Sequence, residues 1–341
     1  MRATIKVVAK LADVSTATVS HFITKKKYVS EELSQRINEA MHTLGYKPNT
    51  IARSLKIKRS YIIGVVVPSI SNPFFAEIVE QIQKIAGKYA YRIMLYDSNN
   101  DVTAEKQIMD SFLSAGVDGI IDVASLQTEE QLGKTYGVPV VITDRPPFET
   151  KSNIGFVYAD NNDGAAQVAD FLVSHGYNRF AYFAGPVDKV PNARERLYGF
   201  TERLVELGIG KDLCKVYYGE YSFDSGYETM RRLLTEWDIT QGNWAVFAPS
   251  DIMAWGAMES AKTQGLKIPR DIALVGFDNI FYSNYLYPAL TTVENPTKEL
   301  GEKSVRLIIQ AIDNHEQLSG QKVILNASLI ERKSTIQHRD M

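Results

Sequence analysis

The chain has 341 residues, of which 23% are charged and 45% are apolar, ordinary values for a soluble globular protein. This length is sufficient for two or three domains with their own cores. The single cysteine, Cys214, excludes an internal disulfide framework, and no stretch approaches the ~18 apolar residues of a membrane span. Because the N-terminus also lacks the apolar core of a signal peptide, we expect a cytoplasmic protein without membrane association.

The net charge of −2 conceals two parts of opposite sign. Residues 1–60 carry 12 Lys or Arg and 4 Asp or Glu, whereas the other 281 residues carry 26 and 36. A basic segment on an acidic body is expected where only one end of a chain meets phosphate groups. The charge distribution therefore favours nucleic acid as a partner of the N-terminal segment.

Two short helices are predicted at the N-terminus. Apolar residues recur on one helical face within residues 5–12, with Thr4 placed to cap this helix. A tight turn at 13–14 follows, and Ser15 caps a second helix that runs up to the lysines at 25–27. Two short helices joined by a tight turn form the helix-turn-helix arrangement, whose second helix enters the major groove of DNA.

A third helix is predicted between Ser30, which caps it, and Gly45, because glycine is common just past a helix end. It completes a small three-helix core. Residues 50–55 form a further helix that is too short to be stable alone. We therefore predict a helix-turn-helix domain over 1–47 and a hinge helix with linker over 48–60.

From residue 61 onward, apolar strands alternate with helices. The run IIGVVV at 62–67 is typical of a strand buried on both faces of a parallel sheet. Further strands are predicted at 92–96, 119–123, 139–143, 179–183, 214–218, 244–248 and 272–276. Because the strands form two series, the pattern predicts a body of two doubly wound α/β lobes.

The two lobes together are expected to occupy residues 61–341. We expect the chain to cross between them near 159–163 and 291–296. The predicted lobe assignments are 61–160 and 292–320 for the first lobe, and 161–291 and 321–341 for the second.

Polar and aromatic residues follow many of the predicted strands. Ligands of doubly wound sheets collect at the carboxyl ends of the strands. Rings can cover the apolar faces of a small hydroxyl-rich molecule, while carboxylates and guanidinium groups bind its hydroxyls. The residues found there are Ser71, Asn72, Phe74, Phe75, Asp144, Arg145, Arg194, Arg196, Phe223, Asp224, Ser250, Asp251, Asp278, Asn279 and Asn295.

Structural roles remain open at several of these positions. Phe75 can equally be the buried start of a helix, and Asp278 can cap one. Asp251 is expected to cap the helix IMAWGAMESA rather than to contact a ligand. Two tyrosine clusters can rim the cleft or line an interface, namely Tyr217, Tyr218 and Tyr221, and Tyr282, Tyr285 and Tyr287.

Motifs for catalysis or metal binding are missing from the sequence. The five histidines are scattered, and HExxH, CxxC, G-x-S-x-G and P-loop patterns do not occur. We therefore predict a protein that is not an enzyme and that uses no metal or cofactor.

The run TIKVVAKLADVSTATVSHFITKKKYVSEE and the segment LGYKPNTIARSL resemble the lactose-repressor (LacI) family of bacterial transcription regulators. The segments SNPFF, GPVD, SGY, SDIMAWGAM, IPRDIALVGFDN and LTTVENP extend this resemblance over nearly the whole chain. The family implies a helix-turn-helix head on a periplasmic-binding-protein-like body. It also implies a homodimer that binds a palindromic operator in double-stranded DNA.

In the head, the resemblance implies that the second helix reads bases and that the hinge helix enters the minor groove. Thr16, Ala17 and His21 are then candidates for base reading, and Leu55 for a wedge at a base step. The full set of predicted DNA-binding residues is Thr4, Ser15, Thr16, Ala17, Ser20, His21, Lys25, Asn49, Ala52, Arg53 and Leu55. His21 can instead be a solvated helix residue, and 48–60 a plain linker.

The body is also similar to ribose-binding proteins and ribose repressors, through NPFF at 72–75, ARER at 193–196 and GFD at 276–278. The sugar contacts that this resemblance implies are Asn72, Phe74, Phe75, Asp144, Arg145, Arg196, Phe223, Asp278 and Asn295. Ser250 and Val123 occupy positions where the resemblance leads us to expect Asn. A related pentose or hexose is therefore as compatible with the sequence as ribose.

The predicted function is repression of a carbohydrate-utilisation operon, with release from the operator by a monosaccharide such as ribose. One alternative is a corepressor-dependent regulator whose effector is a purine or a phosphorylated protein. A second alternative is a sugar-binding receptor module, although such a module would lack the basic head.

Overall fold

A computed structural model of the chain describes residues 3–24, 27–46, 59–126, 137–145, 153–314 and 317–335. The chain forms two compact units, the head (Met1–Ser60) and the body (Tyr61–Met341). Within the described residues, no helix combines the length and the apolar character needed to cross a membrane.

The described part of the head consists of helices packed around a small core. The helices are α1 (Ile5–Leu11), α2 (Thr16–Thr24) and α3 (Glu31–Thr43). The buried core residues are Val8, Ala9, Ala12, Val19, Ile37 and Ala40. Because each helix turns its apolar face inward, the predicted three-helix core is confirmed.

Three of the predicted helix boundaries in the head are confirmed. Ser15 Oγ accepts a hydrogen bond from the Thr18 backbone N–H at 3.0 Å and caps α2. Ser30 Oγ accepts from the Leu33 N–H at 3.4 Å and caps α3. Gly45 follows the end of α3 with a φ of 57°, the left-handed conformation that glycine adopts without steric cost.

The predicted capping role of the Thr4 side chain is wrong. Thr4 occupies the N-cap position of α1, but its side chain makes no capping hydrogen bond. Its carbonyl oxygen accepts from the N–H groups of Val7 and Val8 at 2.9 and 3.1 Å. The first turn of α1 is therefore held by backbone hydrogen bonds.

The described elements of the body alternate between strands and helices. The strands are β1 (Ile62–Val67), β2 (Arg92–Asp97), β3 (Gly119–Val123), β4 (Val140–Thr143), β5 (Ile154–Ala159), β6 (Arg179–Ala184), β7 (Cys214–Tyr218), β8 (Trp244–Phe247), β9 (Ala273–Asp278), β10 (Thr291–Glu294), β11 (Lys322–Leu325) and β12 (Ser328–Ile330). The helices are α4 (Pro73–Lys88), α5 (Val102–Ala115), α6 (Asn161–Ser174), α7 (Pro191–Glu206), α8 (Phe223–Glu236), α9 (Asp251–Thr263) and α10 (Thr297–Asn314). Short 3-10 helices lie at Lys211–Leu213 and Phe281–Asn284.

Each lobe is built on one sheet whose strands are almost all parallel. The strand order is β11-β5-β4-β3-β1-β2 in the first lobe and β12-β10-β9-β8-β6-β7 in the second. Only β12 pairs antiparallel within these described sheets. Central strands such as β3 and β4 are buried along their whole length, which explains their continuous apolar sequence.

The predicted lobe boundaries need correction at two strands. Thr291–Glu294 pairs with β9 and therefore belongs to the second lobe, although residues from 292 onward were assigned to the first. Lys322–Leu325 pairs with β5 and belongs to the first lobe, although residues from 321 onward were assigned to the second. Pairing between strands distant in sequence decides membership, and the apolar pattern of a single strand does not reveal its partner.

Asp251 is a buried carboxylate that joins three segments of the second lobe. Its Oδ2 accepts from the Ile280 N–H at 3.0 Å and from Ser283 Oγ at 2.6 Å, and its Oδ1 accepts from Thr292 Oγ1 at 2.6 Å. Burial raises the pKa of Asp251 to about 6, against the effect of these hydrogen bonds. Asp251 therefore has a structural role, but it stabilises other segments instead of capping α9 as expected.

We expect Asp251→Ala to lower the free energy of unfolding by about 3 kcal/mol, because three buried donors lose their acceptor. Urea denaturation followed by circular dichroism measures this change. Asp224→Ala is the matched control, since Asp224 also lies in the first turn of a second-lobe helix but is exposed. The control should lose less than about 1 kcal/mol. Equal losses in the two variants would contradict the proposed role of Asp251.

The stability supplied by Asp251 should also depend on pH. Because folding raises the pKa of this carboxyl from 3.8 to about 6, its contribution is fully present below the unfolded value and is lost as the pH rises through the folded value. Between about pH 5 and about pH 7.5, the unfolding free energy of the wild type should fall by about 1 kcal/mol relative to Asp251→Asn. A constant difference over this range would show that Asp251 titrates normally.

Candidate functional site

A cavity of about 300 Å³ lies between the two lobes at the carboxyl ends of their strands. The first lobe contributes the segment after β1, the start of α4 and the residues after β4. The second lobe contributes the starts of α7 and α8 and the residues that end β9. Parallel strands place these loops at one edge of each sheet, so that residues far apart in sequence face each other.

Eight of the nine predicted effector-binding residues line this cavity. They are Asn72, Phe74, Phe75, Asp144, Arg145, Arg196, Phe223 and Asp278. The ninth, Asn295, is buried behind the cavity wall, where its Nδ2 donates to Asp144 Oδ1 at 3.2 Å. Asn295 therefore contacts a lining residue and not the cavity itself.

Asp144 is the point where several parts of the body meet. It is buried, and its backbone has a φ of 70°, a conformation that is uncommon outside glycine. Asn192 of α7 donates to the Asp144 carbonyl oxygen at 2.6 Å, which joins the second lobe to the first. Burial raises the pKa of Asp144, and the positive charges of Arg196 and Arg145 oppose this effect.

Arg196 is held by contacts on every side of its guanidinium group. Its Nε donates to Asn161 Oδ1 at 2.8 Å and its Nη1 to the Pro249 carbonyl at 2.7 Å. Its Nη2 lies 3.4 Å from Asp278 Oδ1, and the group stacks 3.7 Å from the centre of the Phe277 ring. These contacts fix the guanidinium at the cavity wall, because a planar group bound along several edges cannot rotate.

Asp278 forms the opposite partner of this ion pair. Burial raises the pKa of Asp278 well above its usual value, although Arg196 acts to lower it. The residue ends β9 with a φ of 109°, and it does not cap a helix, since Ile280 occupies the N-cap of the following 3-10 helix. The alternative role of Asp278 as a helix cap is therefore not realised.

Several buried polar atoms at the cavity have no hydrogen-bond partner among the described residues. They include Arg145 Nη1, Asn192 Oδ1 and the Tyr221 hydroxyl. A buried polar group without a partner costs about 1–3 kcal/mol, so a ligand with matching groups would recover this cost. The arrangement suits a molecule that carries several hydroxyl groups.

Aromatic rings form the apolar part of the cavity wall. Phe74 and Phe75 meet edge to face with centroids 5.2 Å apart, and Phe223 meets Trp255 in the same way at 5.8 Å. Phe75 is only partly buried at the start of α4, so its ring is available to the cavity. Such rings can cover the C–H faces of a sugar while the charged groups bind its hydroxyls.

The structure also adds lining residues that the sequence analysis did not select. These are Asn192, Asn100, Ser69, Ser222, Val190 and Ile252. Asn192 was detectable in principle, because it precedes Arg196 by one helical turn on the same face of α7. Of the first tyrosine cluster, Tyr221 alone lines the cavity, and of the positions where Asn was expected, Ser250 lines it and Val123 does not.

The described residues contain no group of three or more His, Cys, Asp or Glu that could hold a metal ion. The charged residues of the cavity instead pair carboxylates with guanidinium groups. Their arrangement favours binding of an uncharged polar ligand.

In the head, the predicted base-reading residues lie on α2. Thr16 and Ala17 are exposed, Ser20 and His21 follow them by one helical turn and are half-buried, and Val19 is buried in the core of the head. Ser15 and Thr4 lie just before α2 and α1. The other predicted DNA-binding residues lie outside the described residues, namely Lys25, Asn49, Ala52, Arg53 and Leu55.

Comparison with known proteins agrees with this two-part structure. Residues 4–49 match the bacterial regulatory proteins of the lacI family, and residues 169–335 match a periplasmic binding protein-like domain. The chain is 34% identical to the ribose operon repressor of Halalkalibacterium halodurans, over 97% of each chain. The chain belongs to the lacI family of bacterial regulatory proteins. It is a transcriptional repressor of this family.

This lacI-family repressor is also similar to other repressors in sequence and in structure. It is 33% identical to the repressor CytR of Escherichia coli, over 98% of this chain and 96% of the relative. A crystal structure of the lac repressor dimer bound to operator and the anti-inducer ONPF has a TM-score of 0.86 and 27% identity, over 99% of this chain and 100% of the other. The predicted family and fold class are therefore confirmed.

A ribose-bound structure is also among the similar proteins. The LacI family regulator of Enterococcus faecium with bound ribose has a TM-score of 0.70 and 27% identity, over 80% of this chain and 98% of the other. The cavity of this lacI-family repressor thus lies on a scaffold shared with a sugar-bound relative.

We expect Arg196→Lys to lower the free energy of unfolding of this repressor by about 3 kcal/mol, because an ammonium group cannot replace the contacts of the buried guanidinium. Thermal and urea denaturation measure this change. Arg203→Lys on the same helix is the control, since Arg203 pairs with Asp170 and Glu206 at the surface. The control should change stability by less than about 1 kcal/mol. A mild effect at Arg196 would show that its contacts contribute little.

Proposed function

We propose that this repressor binds a palindromic operator as a homodimer and is released by a monosaccharide that occupies the cavity between the lobes. The observation that carries this proposal is the convergence of buried acids, guanidinium groups and phenyl rings on one cavity of about 300 Å³. The ribose operon repressor among the relatives and the ribose-bound regulator among the similar structures support a sugar such as ribose. Related pentoses and hexoses remain within the proposal.

The chemistry of the lining residues suits a sugar ring. Asp144 and Asp278 would accept hydrogen bonds from hydroxyls, while Arg145 and Arg196 would donate to hydroxyl oxygens. Charge-assisted bonds of this kind are directional, so that they distinguish sugars by the orientation of each hydroxyl. The rings of Phe75 and other residues would cover the apolar faces of the sugar.

The coupling between sugar and DNA would act through the arrangement of the lobes. Asn192 bridges to Asp144 across the cavity, and the Phe281 N–H of the second lobe donates to Glu77 of the first lobe at 3.1 Å. A sugar that bridges both lobes would favour one lobe arrangement over another. It can shift the equilibrium only by the difference in its affinity for the two arrangements.

For the DNA side we propose the domain division 1–47, 48–60 and 61–341. Thr16, Ala17 and His21 of α2 would read base edges in the major groove, and neighbouring lysines would contact phosphates. Because an operator-binding protein acts where the DNA is, we propose that the repressor works in the cytoplasm.

The first test is a fluorescence-polarisation titration of the repressor on palindromic DNA from its own upstream region, with and without a panel of monosaccharides. We expect one sugar to weaken operator binding by about tenfold or more, a coupling of typical size between two sites. Tighter operator binding in the presence of a purine or a phosphorylated protein would instead establish the corepressor mode. Binding that no sugar changes would contradict the proposed induction.

Arg145→Ala should abolish the response to sugar while operator binding persists, because the buried guanidinium of Arg145 lines the effector cavity and lies in the body, apart from the head. Calorimetric titration of the sugar should show a loss of about 30-fold or more in affinity. Arg194→Ala is the matched control, since Arg194 lies on α7 near the cavity but is exposed. Unchanged sugar affinity in Arg145→Ala would refute the assignment of the cavity.

Leu55→Ala should weaken operator binding by about tenfold, since the proposed leucine wedge helps to stabilise kinked DNA. The same polarisation titration measures this effect. Sugar affinity, measured by calorimetry, should stay at the wild-type value. Equal operator affinity in the variant and the wild type would remove the wedge from the proposal.

A further inference from the structure

The two lobes meet at a second contact, which lies outside the effector cavity. Glu77 of α4, in the first lobe, accepts a hydrogen bond at Oε1 from the Phe281 N–H of the second lobe at 3.1 Å. Its Oε2 accepts from Thr297 Oγ1, at the start of α10, at 3.2 Å. None of these three residues lines the cavity. One half-buried carboxylate thus binds an element of the second lobe and the helix that follows the crossing between the lobes.

The Phe281 N–H obtains an acceptor from the other lobe. Phe281 is the first residue of the 3-10 helix Phe281–Asn284, directly after the N-cap residue Ile280. The first N–H groups of a helix have no acceptor within that helix. A carboxylate is a strong acceptor, because its charge shortens and strengthens the hydrogen bond. The contact with Glu77 therefore satisfies a donor that its own element leaves open.

Apolar packing between the lobes accompanies this hydrogen bond. Ile280 is 3% exposed and belongs to the apolar cluster of the first lobe, together with Phe74 and Ile78 of α4. Ile252 of α9, in the second lobe, packs against the same cluster. Burial of these side chains stabilises the contact without fixing its direction. The hydrogen bond to Glu77 supplies the direction, since it needs a defined distance and angle.

The segment that carries Phe281 is also anchored within its own lobe. Asp251 of α9 accepts from the Ile280 N–H at 3.0 Å and from Ser283 Oγ at 2.6 Å. The segment 280–283 is therefore bonded to α9 on one side and to α4 of the first lobe on the other. Movement of one lobe against the other must break the bond to Glu77 or displace this segment.

Both partners in the contact lie next to residues of the cavity wall. Phe74 and Phe75 precede Glu77 on α4, and Asp278 precedes Phe281 in the second lobe. The contact thus fixes the phenyl rings of one lobe relative to a carboxylate of the other. Fixing binding groups in advance increases affinity, because less ordering remains to be done when the ligand binds.

We propose that Glu77 is a positioning residue, whose hydrogen bond with the Phe281 N–H forms an interlobe latch that holds the body in its effector-binding arrangement. This inference rests on the proposed function, because it concerns how strongly a sugar binds. The apparent affinity of a ligand falls with the fraction of molecules in the binding-competent arrangement. Loss of the latch therefore weakens sugar binding while every group that touches the sugar remains.

Phe281→Pro removes the N–H of the latch, and Phe281→Ala is its matched reference, since it loses the same ring but keeps the N–H. Proline is accepted at the first position of a helix. Ile280 has a φ of −62° and a ψ of 154°, which suit a residue before proline. In calorimetric titration of the full-length repressor, with D-ribose and then with the sugar that releases the operator, Phe281→Pro should bind about tenfold more weakly than Phe281→Ala. Equal affinities would overturn the inference.

Variants of Glu77 test the other side of the latch. Glu77→Ala should also lose about tenfold in sugar affinity, whereas Glu77→Gln keeps an acceptor oxygen and should stay within about threefold of the wild type. Glu80→Ala, an exposed change on α4, should bind sugar as the wild type does. Phe281→Pro should cause no further loss when it is added to Glu77→Ala, because both changes remove the same bond. Losses that multiply in the double variant would contradict the latch.

Hydrogen exchange measures the latch without any sugar. Exchange of a peptide that covers residues 280–284 should be about tenfold faster in Glu77→Ala than in the wild type, and unchanged in Glu80→Ala. Equal exchange in Glu77→Ala and the wild type would overturn this inference. Faster exchange combined with wild-type sugar affinity in Glu77→Ala would also overturn it and leave the proposed function standing. If the wild type binds no monosaccharide, the proposed function is wrong and this inference falls with it.

Discussion

Asp144 is the residue on which the organisation of the body depends. It follows a buried strand of the first lobe, and the side chain of Asn192 in the second lobe donates a hydrogen bond to the backbone carbonyl of Asp144. Asn295, in the segment where the chain passes between the lobes, binds its side chain. A buried carboxylate must be compensated by hydrogen bonds or positive charge, so both lobes are drawn to this point. Arg145 and Arg196 provide the charge, and the cavity forms around them.

Such a cluster of buried charges carries a cost in desolvation free energy. Apolar residues of similar volume would often give equal or greater stability. The cluster nevertheless leaves polar atoms at the cavity without hydrogen-bond partners in the described part of the chain, including Arg145 Nη1 and the Tyr221 hydroxyl. These open positions have a physical reason if a polar ligand completes them. The polar groups that bind the ligand would then also determine which lobe arrangement is favoured. A repressor controlled by a ligand requires this link between binding and lobe arrangement.

Rigid elements hold the cluster in place from behind. In the second lobe, Asp251 accepts three hydrogen bonds from two other segments and fixes the chain that follows Asp278. In the first lobe, Glu105 fixes the end of β3 beside the end of β4. Neither residue lines the cavity, yet each determines where a lining residue stands. Buried acids of this kind influence the cavity indirectly. Their hydrogen bonds orient the backbone segments whose side chains line the cavity.

The amino-acid sequence by itself determined the local structure and most of the cavity wall. Apolar spacing and capping residues such as Ser15 and Ser30 depend on neighbours within a few residues, so the head helices and most strands were predictable. Strand ends also indicated ten of the residues that line the cavity, since parallel sheets place those ends together. Only the tertiary structure decided the features that depend on distant pairings. These are the lobe membership of β10 and β11, the burial of Asn295 outside the cavity lining, the hydrogen bond from Asn192 to Asp144, and the hydrogen bonds of Asp251 and Glu105. Each depends on contacts between groups far apart in the chain. The periodicity of a sequence indicates local structure and does not reveal which distant groups lie close together.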